Sequence, residues 1–133
     1  MRETLYLVGC CQRKTYVPEG YTIEAQKLYT SDLFKKSSAY VKSQLGPEPN
    51  WGIISAKYGL VLPDQQVHFY DQDLRLMSNP ERHKWGSGVV AQIVNLFPPS
   101  RIKTIEILAG RLYIQYIDYL LSKLYTVEKP LEG

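Results

Sequence analysis

The 133 residues predict one α/β domain, a three-layer sandwich around a central, mainly parallel sheet. Three observations point there. Short apolar runs at Leu5–Gly9, Trp51–Ile54 and Thr104–Leu108 read as strands, the first buried on both faces because it does not alternate. Stretches of helical periodicity separate these runs. Each run also stops abruptly in a small, basic, glycine-bearing segment, which suits the ligand-binding edge of an open α/β sheet.

Taken in order, Leu5-Tyr6-Leu7-Val8-Gly9 is the first strand, and Cys10–Gly20 is a polar loop broken by Pro18 and Gly20. A helix lies within Glu24–Leu45, where Leu28, Tyr29, Leu33, Phe34, Tyr40 and Val41 recur at helical spacing. Ser31-Asp32 restarts it as an N-cap, and the Gly46-Pro47-Glu48-Pro49-Asn50 stretch stops it. Trp51–Ile54 is the second strand. A long loop runs from Ser55 to about Asn79, with a helical turn near Leu74–Met77; a loop this long in a compact domain is usually functional. Asn79-Pro80 opens the next helix, Asn79 as cap and Pro80 at the first position. Trp85, Val89, Ile93 and Leu96-Phe97 form its apolar stripe, and Pro98-Pro99 ends it. Thr104–Leu108 is the third strand. Leu112–Leu124 is a third helix with Tyr113, Tyr116, Ile117, Leu120 and Leu124 inward, and Tyr125-Thr126-Val127 is a short last strand. Right-handed crossovers bring all strand carboxyl ends to one edge. Cys10–Lys14, Ser55–Gly59 and Ala109–Tyr113 are therefore expected to converge.

Composition sets the bounds. A hydrophobic fraction of 44% and a charged fraction of 22% are those of an ordinary globular protein. A net charge of +3 permits an anionic partner without demanding one. Eleven tyrosines stand out, because tyrosine offers an apolar face and a polar tip, suited either to stacking or to the edge of a core. The adjacent Cys10 and Cys11 imply no disulfide framework, so a reducing cytoplasm is the expected location. The start, with its five-residue apolar run, is too short for a secretory signal or a membrane span, and no membrane association is expected.

The three strand ends carry the candidate chemistry. In the first, Gly9 permits close backbone approach, Gln12 offers an amide, and Arg13 and Lys14 supply charge. Cys10 is a nucleophile if those cations lower its pKa, or else a small residue packed under the sheet edge. Cys10, Cys11, His68 and His83 lack standard zinc spacing, so no metal or other cofactor is expected. In the second end, Ser55 can donate to a phosphate or carbonyl, Lys57 can pair an anion, Tyr58 can stack or pack, and Gly59 turns the chain. Ser55 and Lys57 also make a Ser-x-Lys pair, a common spacing that can serve as nucleophile and base. In the third end, Gly110 allows an anion to approach the helix start and Arg111 offers two parallel donors, with Tyr113 behind them. The middle loop adds Tyr70 and Asp71, the latter a carboxylate able to activate water. His83 reads as a solvated helix residue. Together these residues describe an anion or nucleotide site on an α/β edge, without naming a reaction.

The ordered motifs LVGCCQRK (Leu7–Lys14), Leu28–Phe34, SAKYGLV (Ser55–Val61), Tyr70–Leu74, Trp85 and LAGRLY (Leu108–Tyr113) resemble a bacterial and phage domain family of unknown function. The family ends in a Pro-Leu-Glu-Gly motif, matched by Pro130–Gly133, and continues with a Gly- and Gln-containing stretch where this sequence stops. The resemblance implies a fold related to the peroxide-stress protein YaaA, and more distantly to archaeosine synthase and the uracil-DNA-glycosylase-like superfamily. By that analogy Cys10–Lys14 is a polar loop after the first core strand, and Ser55–Gly59 or Ala109–Tyr113 a base or phosphate clamp. The Gly-Gln-Asp-Pro-Tyr and histidine loops of classical glycosylases are absent, which leaves Asp71 as the best carboxylate for a general base.

Two functions follow as expectations. One is an N-glycosidase-like enzyme acting on a nucleobase in DNA or in a nucleotide, with Asp71, Cys10 and Lys14 as catalytic residues. Cys11, Gln12, Arg13, Ser55, Lys57, Tyr58, Gly59, Tyr70, Gly110, Arg111 and Tyr113 then bind substrate. The other is a non-catalytic nucleotide or nucleic-acid binding protein in phage–host conflict or stress. A third reading uses the tyrosines as a protein–protein interface.

Overall fold

The computed structural model describes residues 3–9, 14–45 and 50–131. The elements are β1 (Glu3–Gly9), β2 (Ile23–Glu24), α1 (Ala25–Leu28), α2 (Asp32–Gln44), β3 (Trp51–Ser55), β4 (Gly59–Val61) and β5 (Gln66–Val67). A 3₁₀ turn (Leu74–Leu76), α3 (Asn79–Leu96), β6 (Ile102–Leu108), α4 (Arg111–Ile114), α5 (Asp118–Ser122) and β7 (Thr126–Glu128) complete the chain.

Five strands form the main sheet in the order β4-β3-β1-β6-β7. β1 pairs in parallel with β3 and β6, and β6 with β7; β4 folds back antiparallel on β3. The period-two alternation of side chains sends each strand's residues into two separate cores. Leu5, Leu7, Ile54, Ile105 and Ile107 pack against Val89 and Ile93 of α3, Ile114 of α4 and Leu121 of α5. Val8, Trp51, Ile53 and Leu108 face Ala25 and Leu28 of α1 and Phe34 and Val41 of α2. The result is a mixed α/β domain with a mostly parallel sheet flanked by helices on both faces. Burial on both sides is why β1 and β3 read as apolar runs rather than alternating strands.

Connectivity locates the natural binding crevice. After β1 the chain departs to the α1–α2 face. After β3 and β6, the strands on either side of β1, it goes on to helices of the opposite face. In open α/β sheets ligands bind in the crevice that such a divergence leaves outside the strand between, and that position here is the carboxyl end of β1.

Several sequence expectations need correcting. The stretch after Ser55 is not a bare loop, because Gly59 at φ 73° turns the chain into a hairpin between β3 and β4. β5 then pairs with β2 as a separate two-stranded ribbon. The cap of α3 is Ser78, not Asn79. The Ser78 hydroxyl accepts from the Glu81 N–H while the Glu81 carboxylate accepts from the Ser78 N–H, a capping box that satisfies two otherwise unpaired amides. The expected helix over Leu112–Leu124 is two short helices. The Tyr116 carbonyl between them is packed against α3, so close that a Cβ on Gly86 would lie 2.2 Å from it. Leu33, Tyr40, Leu96 and Leu124 are exposed rather than inward. Ser31 does cap α2, accepting from the Phe34 N–H at 3.1 Å. The helix stop at Gly46–Pro49 lies outside the described residues.

Candidate functional site

The three strand ends do meet. Gly9, the last residue of β1, lies so close to Ala109, just beyond β6, that a Cβ on Gly9 would sit 2.7 Å from the Ala109 Cβ. At the end of β3, the Ser55 carbonyl accepts from the Trp85 indole N–H at 2.9 Å, and the Trp85 ring meets Tyr113 edge-on at 5.5 Å. Trp85 of α3 therefore ties the second end to the third.

The centre of this edge is a buried chain of hydroxyls. The fully buried Ser55 donates to the Tyr70 hydroxyl at 2.8 Å, and that hydroxyl is 2.5 Å from the hydroxyl of Tyr29. Ser55 Oγ also accepts from the backbone N–H groups of Lys57 at 3.2 Å and Tyr58 at 3.1 Å. The sequence of a small hydroxyl residue followed by Ala-Lys-Tyr-Gly thus makes a compact turn whose amides are satisfied by its own first side chain. Tyr58 stands edge-on to Tyr70 at 5.5 Å, and the Lys14 ammonium lies 4.7 Å from the Tyr70 ring centroid. A Lys14–Tyr29 bridge and the Thr15 N–H bond to the Leu28 carbonyl hold Lys14 in place.

Gln92 of α3 fixes the far side of the turn, accepting from the Leu60 N–H at 2.8 Å and donating to the Tyr58 carbonyl at 3.2 Å. Between this turn and α3 lies a groove of about 430 Å³, lined in part by Lys57, Tyr58, Met77, Lys84, Trp85 and Gly88. Glu81 also lines it. The N–H and hydroxyl of Ser78 hold the Glu81 carboxyl below its usual range, which keeps it charged. Lys57, Lys84 and Arg111 are exposed and have no ion pair among the described residues.

The expected site residues fall into four groups. Lys14, Ser55, Tyr58 and Tyr70 form one contacting cluster, with Lys57 and Gly59 on its turn. Tyr113 joins through Trp85, while Gly110 and Arg111 flank the crevice by following Ala109 directly. Asp71 follows Tyr70 but is exposed and makes no hydrogen bond to that cluster among the described residues. Cys10, Cys11, Gln12 and Arg13 lie outside the described residues. The anion subsite expected at the third helix start is weakened, because α4 has only 4 residues and aligns too few peptide dipoles. Two participants were not expected at the site. Tyr29 and Trp85 read as helix-stripe residues, yet Ser31 as a cap already places Tyr29 outside α2 and free to join the edge.

A cavity of about 730 Å³ opens at the opposite edge, beside Glu3, Asn50, Trp51, Phe97 and Arg101. Three of its polar side chains are engaged with one another. Asn50 donates to Glu3, and Arg101 donates to the Asn50 side-chain oxygen at 2.9 Å and to the Leu96 carbonyl at 3.0 Å. Size alone therefore does not make it the site, and the cations and hydroxyls favour the carboxyl edge.

No helix among the described residues is long and apolar enough to cross a membrane. No curated protein matches the chain. A model of a family of unknown function, DUF6884, matches residues 5–133. The chain belongs to that family.

Proposed function

We propose that the carboxyl edge of the sheet binds a nucleobase together with its phosphate, in a nucleotide or a nucleic acid. The observation that carries this reading is one cluster in which Lys14, Tyr58, Tyr70 and Ser55 meet at the carboxyl edge, with Lys57 and Arg111 exposed on its rim and in no ion pair among the described residues. The half-buried Tyr58 ring can stack on a base and the exposed Lys57 and Arg111 can pair phosphate, while the buried Ser55–Tyr70–Tyr29 hydroxyl chain holds the turn that carries them. A fold of the YaaA and uracil-DNA-glycosylase type is consistent with a parallel sheet bearing its site at this edge, and is part of the same proposal.

A second reading, N-glycosidic hydrolysis, is favoured by one feature: the exposed Asp71 carboxylate directly follows Tyr70. In that reaction Asp71 takes a proton from water, whose oxygen attacks the anomeric carbon. The bonding pair of the C–N bond moves onto the base, which Lys14 stabilises and protonates as it leaves. Binding stands ahead of hydrolysis, because Asp71 makes no hydrogen bond to the cluster among the described residues.

The experiment is a titration with AMP, UMP and a single-stranded oligonucleotide, followed by chromatography for free base. Binding without base release supports the first reading. Release that disappears in Asp71→Asn while binding survives establishes the second. No binding of any of the three overturns both.

A further inference from the structure

Beside the cluster lies a set of aromatic side chains that the core does not use. Tyr16 is 73% exposed, Tyr21 68% and Phe69 38%. Tyr16 and Phe69 pack ring to ring at 5.7 Å and, with Tyr21 and His68, line a hollow of about 360 Å³. Leaving three large aromatic groups in water forgoes the burial that stabilises a fold.

Their backbone is nevertheless held firmly. Val17 is buried, the Thr15 N–H donates to the Leu28 carbonyl, and the Tyr21 N–H donates to the Pro18 carbonyl at 3.0 Å. β2 and β5 pair just beyond, Ile23 with Val67 and Glu24 with Gln66. Exposed rings thus stand on an anchored backbone.

The hollow continues into the candidate site. Phe69 precedes Tyr70, Tyr16 lies two residues after Lys14, and the Tyr58 hydroxyl donates to the His68 carbonyl at 3.4 Å. On the other side, Lys57 leads into the groove lined by Lys84 and Trp85. Glu19 lines the hollow and Glu81 the groove, so the aromatic faces supply the attraction in the hollow, and further along Lys57 and Lys84 outnumber the one carboxylate.

We propose that Tyr16, Tyr21 and Phe69 form a stacking platform for bases flanking the one held at the sheet edge. The ligand is then a single-stranded nucleic acid rather than a free nucleotide. Alternating aromatic surface and positive charge along one track is how sequence-tolerant single-strand binding is built. The inference rests on the proposed base-and-phosphate site and extends it to a polymer.

The test compares AMP with a fluorescent single strand of about a dozen nucleotides, within the span such grooves cover. The full chain is used as wild type, Tyr16→Ala, Tyr16→Trp and Phe69→Ala. The strand is expected to bind more tightly than AMP. Tyr16→Ala and Phe69→Ala are expected to weaken the strand by roughly 5- to 150-fold each and leave AMP unchanged, with Tyr16→Trp retaining affinity. Tyr16 is too exposed for its loss to threaten the fold, so it carries the test if Phe69→Ala proves unstable. AMP binding with no preference for the strand, or strand binding indifferent to Tyr16→Ala, overturns the platform and spares the edge site. Failure of the wild type to bind either probe overturns both.

Discussion

Ser55→Ala removes one oxygen atom at which three hydrogen bonds meet. The hydroxyl donates to Tyr70 at 2.8 Å and accepts from the amides of Lys57 at 3.2 Å and Tyr58 at 3.1 Å. Each such bond contributes about 0.5–1.5 kcal/mol net, and a buried partner left unsatisfied falls at the upper end. Ser55 is fully buried and Tyr70 is 4% exposed, so water does not replace the lost bond, although the Tyr70 hydroxyl keeps Tyr29 as a partner. The expected loss is about 2–4 kcal/mol, or roughly 8–15 °C in Tm for a domain of this size. Urea denaturation of wild type and variant measures it, an unchanged slope showing that the midpoint shift is a change in stability. Tyr70→Phe removes the same Ser–Tyr bond from the other side. The double variant should therefore cost less than the two singles added, by about 0.5–1.5 kcal/mol. A loss below about 0.5 kcal/mol for Ser55→Ala, or strict additivity in the cycle, refutes the claim that this hydroxyl chain holds the edge together.

Three further outcomes are expected. Lys57→Ala with Arg111→Ala should lower nucleotide affinity at least tenfold in a calorimetric titration while leaving Tm within about 2 °C, because both residues are exposed and in no ion pair among the described residues. Gly59→Ala should cost about 1–3 kcal/mol by thermal melting. It forces a side chain onto φ 73° and sets a Cβ 2.2 Å from the Gln92 side-chain oxygen, which must give up its bonds to the turn. Glu81 contributes a pH dependence whose sign follows from its lowered pKa. Its capping contribution is fully present above its ordinary value of 4.5 and is lost as pH falls through the lower folded value. Glu81→Gln keeps an acceptor at the cap and should flatten that part of the acid-stability curve.

Much of the frame was legible because burial on two faces writes itself as uninterrupted apolar sequence. Leu5–Gly9 and Trp51–Ile54 were readable as strands for that reason, and the strand–helix alternation implied a mainly parallel sheet with its carboxyl ends together. Gly9 against Ala109 and Ser55 on Trp85 are the physical form of that expectation. Short-range competition was harder to read. Ser78 and Asn79 are both good caps, and the choice was made by Glu81, three residues beyond Ser78, closing a capping box. The break at Tyr116 depends on Gly86, thirty residues earlier, leaving room for a carbonyl. No local pattern carries that information. At the site, the lysines and glycines announced themselves, whereas Tyr29 and Trp85 were hidden by helical spacing. Their roles come from one hydroxyl and one indole N–H, and those depend on where the backbone points rather than on hydrophobic period.

The most direct test of the central claim is an amide chemical-shift map of the ¹⁵N-labelled protein titrated with AMP. Binding at the carboxyl edge predicts that Gly9, Ala56–Gly59 and Ala109–Tyr113 shift together and saturate at one concentration. Shifts confined to the opposite edge, around Glu3, Asn50 and Arg101, or no saturable shifts at all, would contradict it.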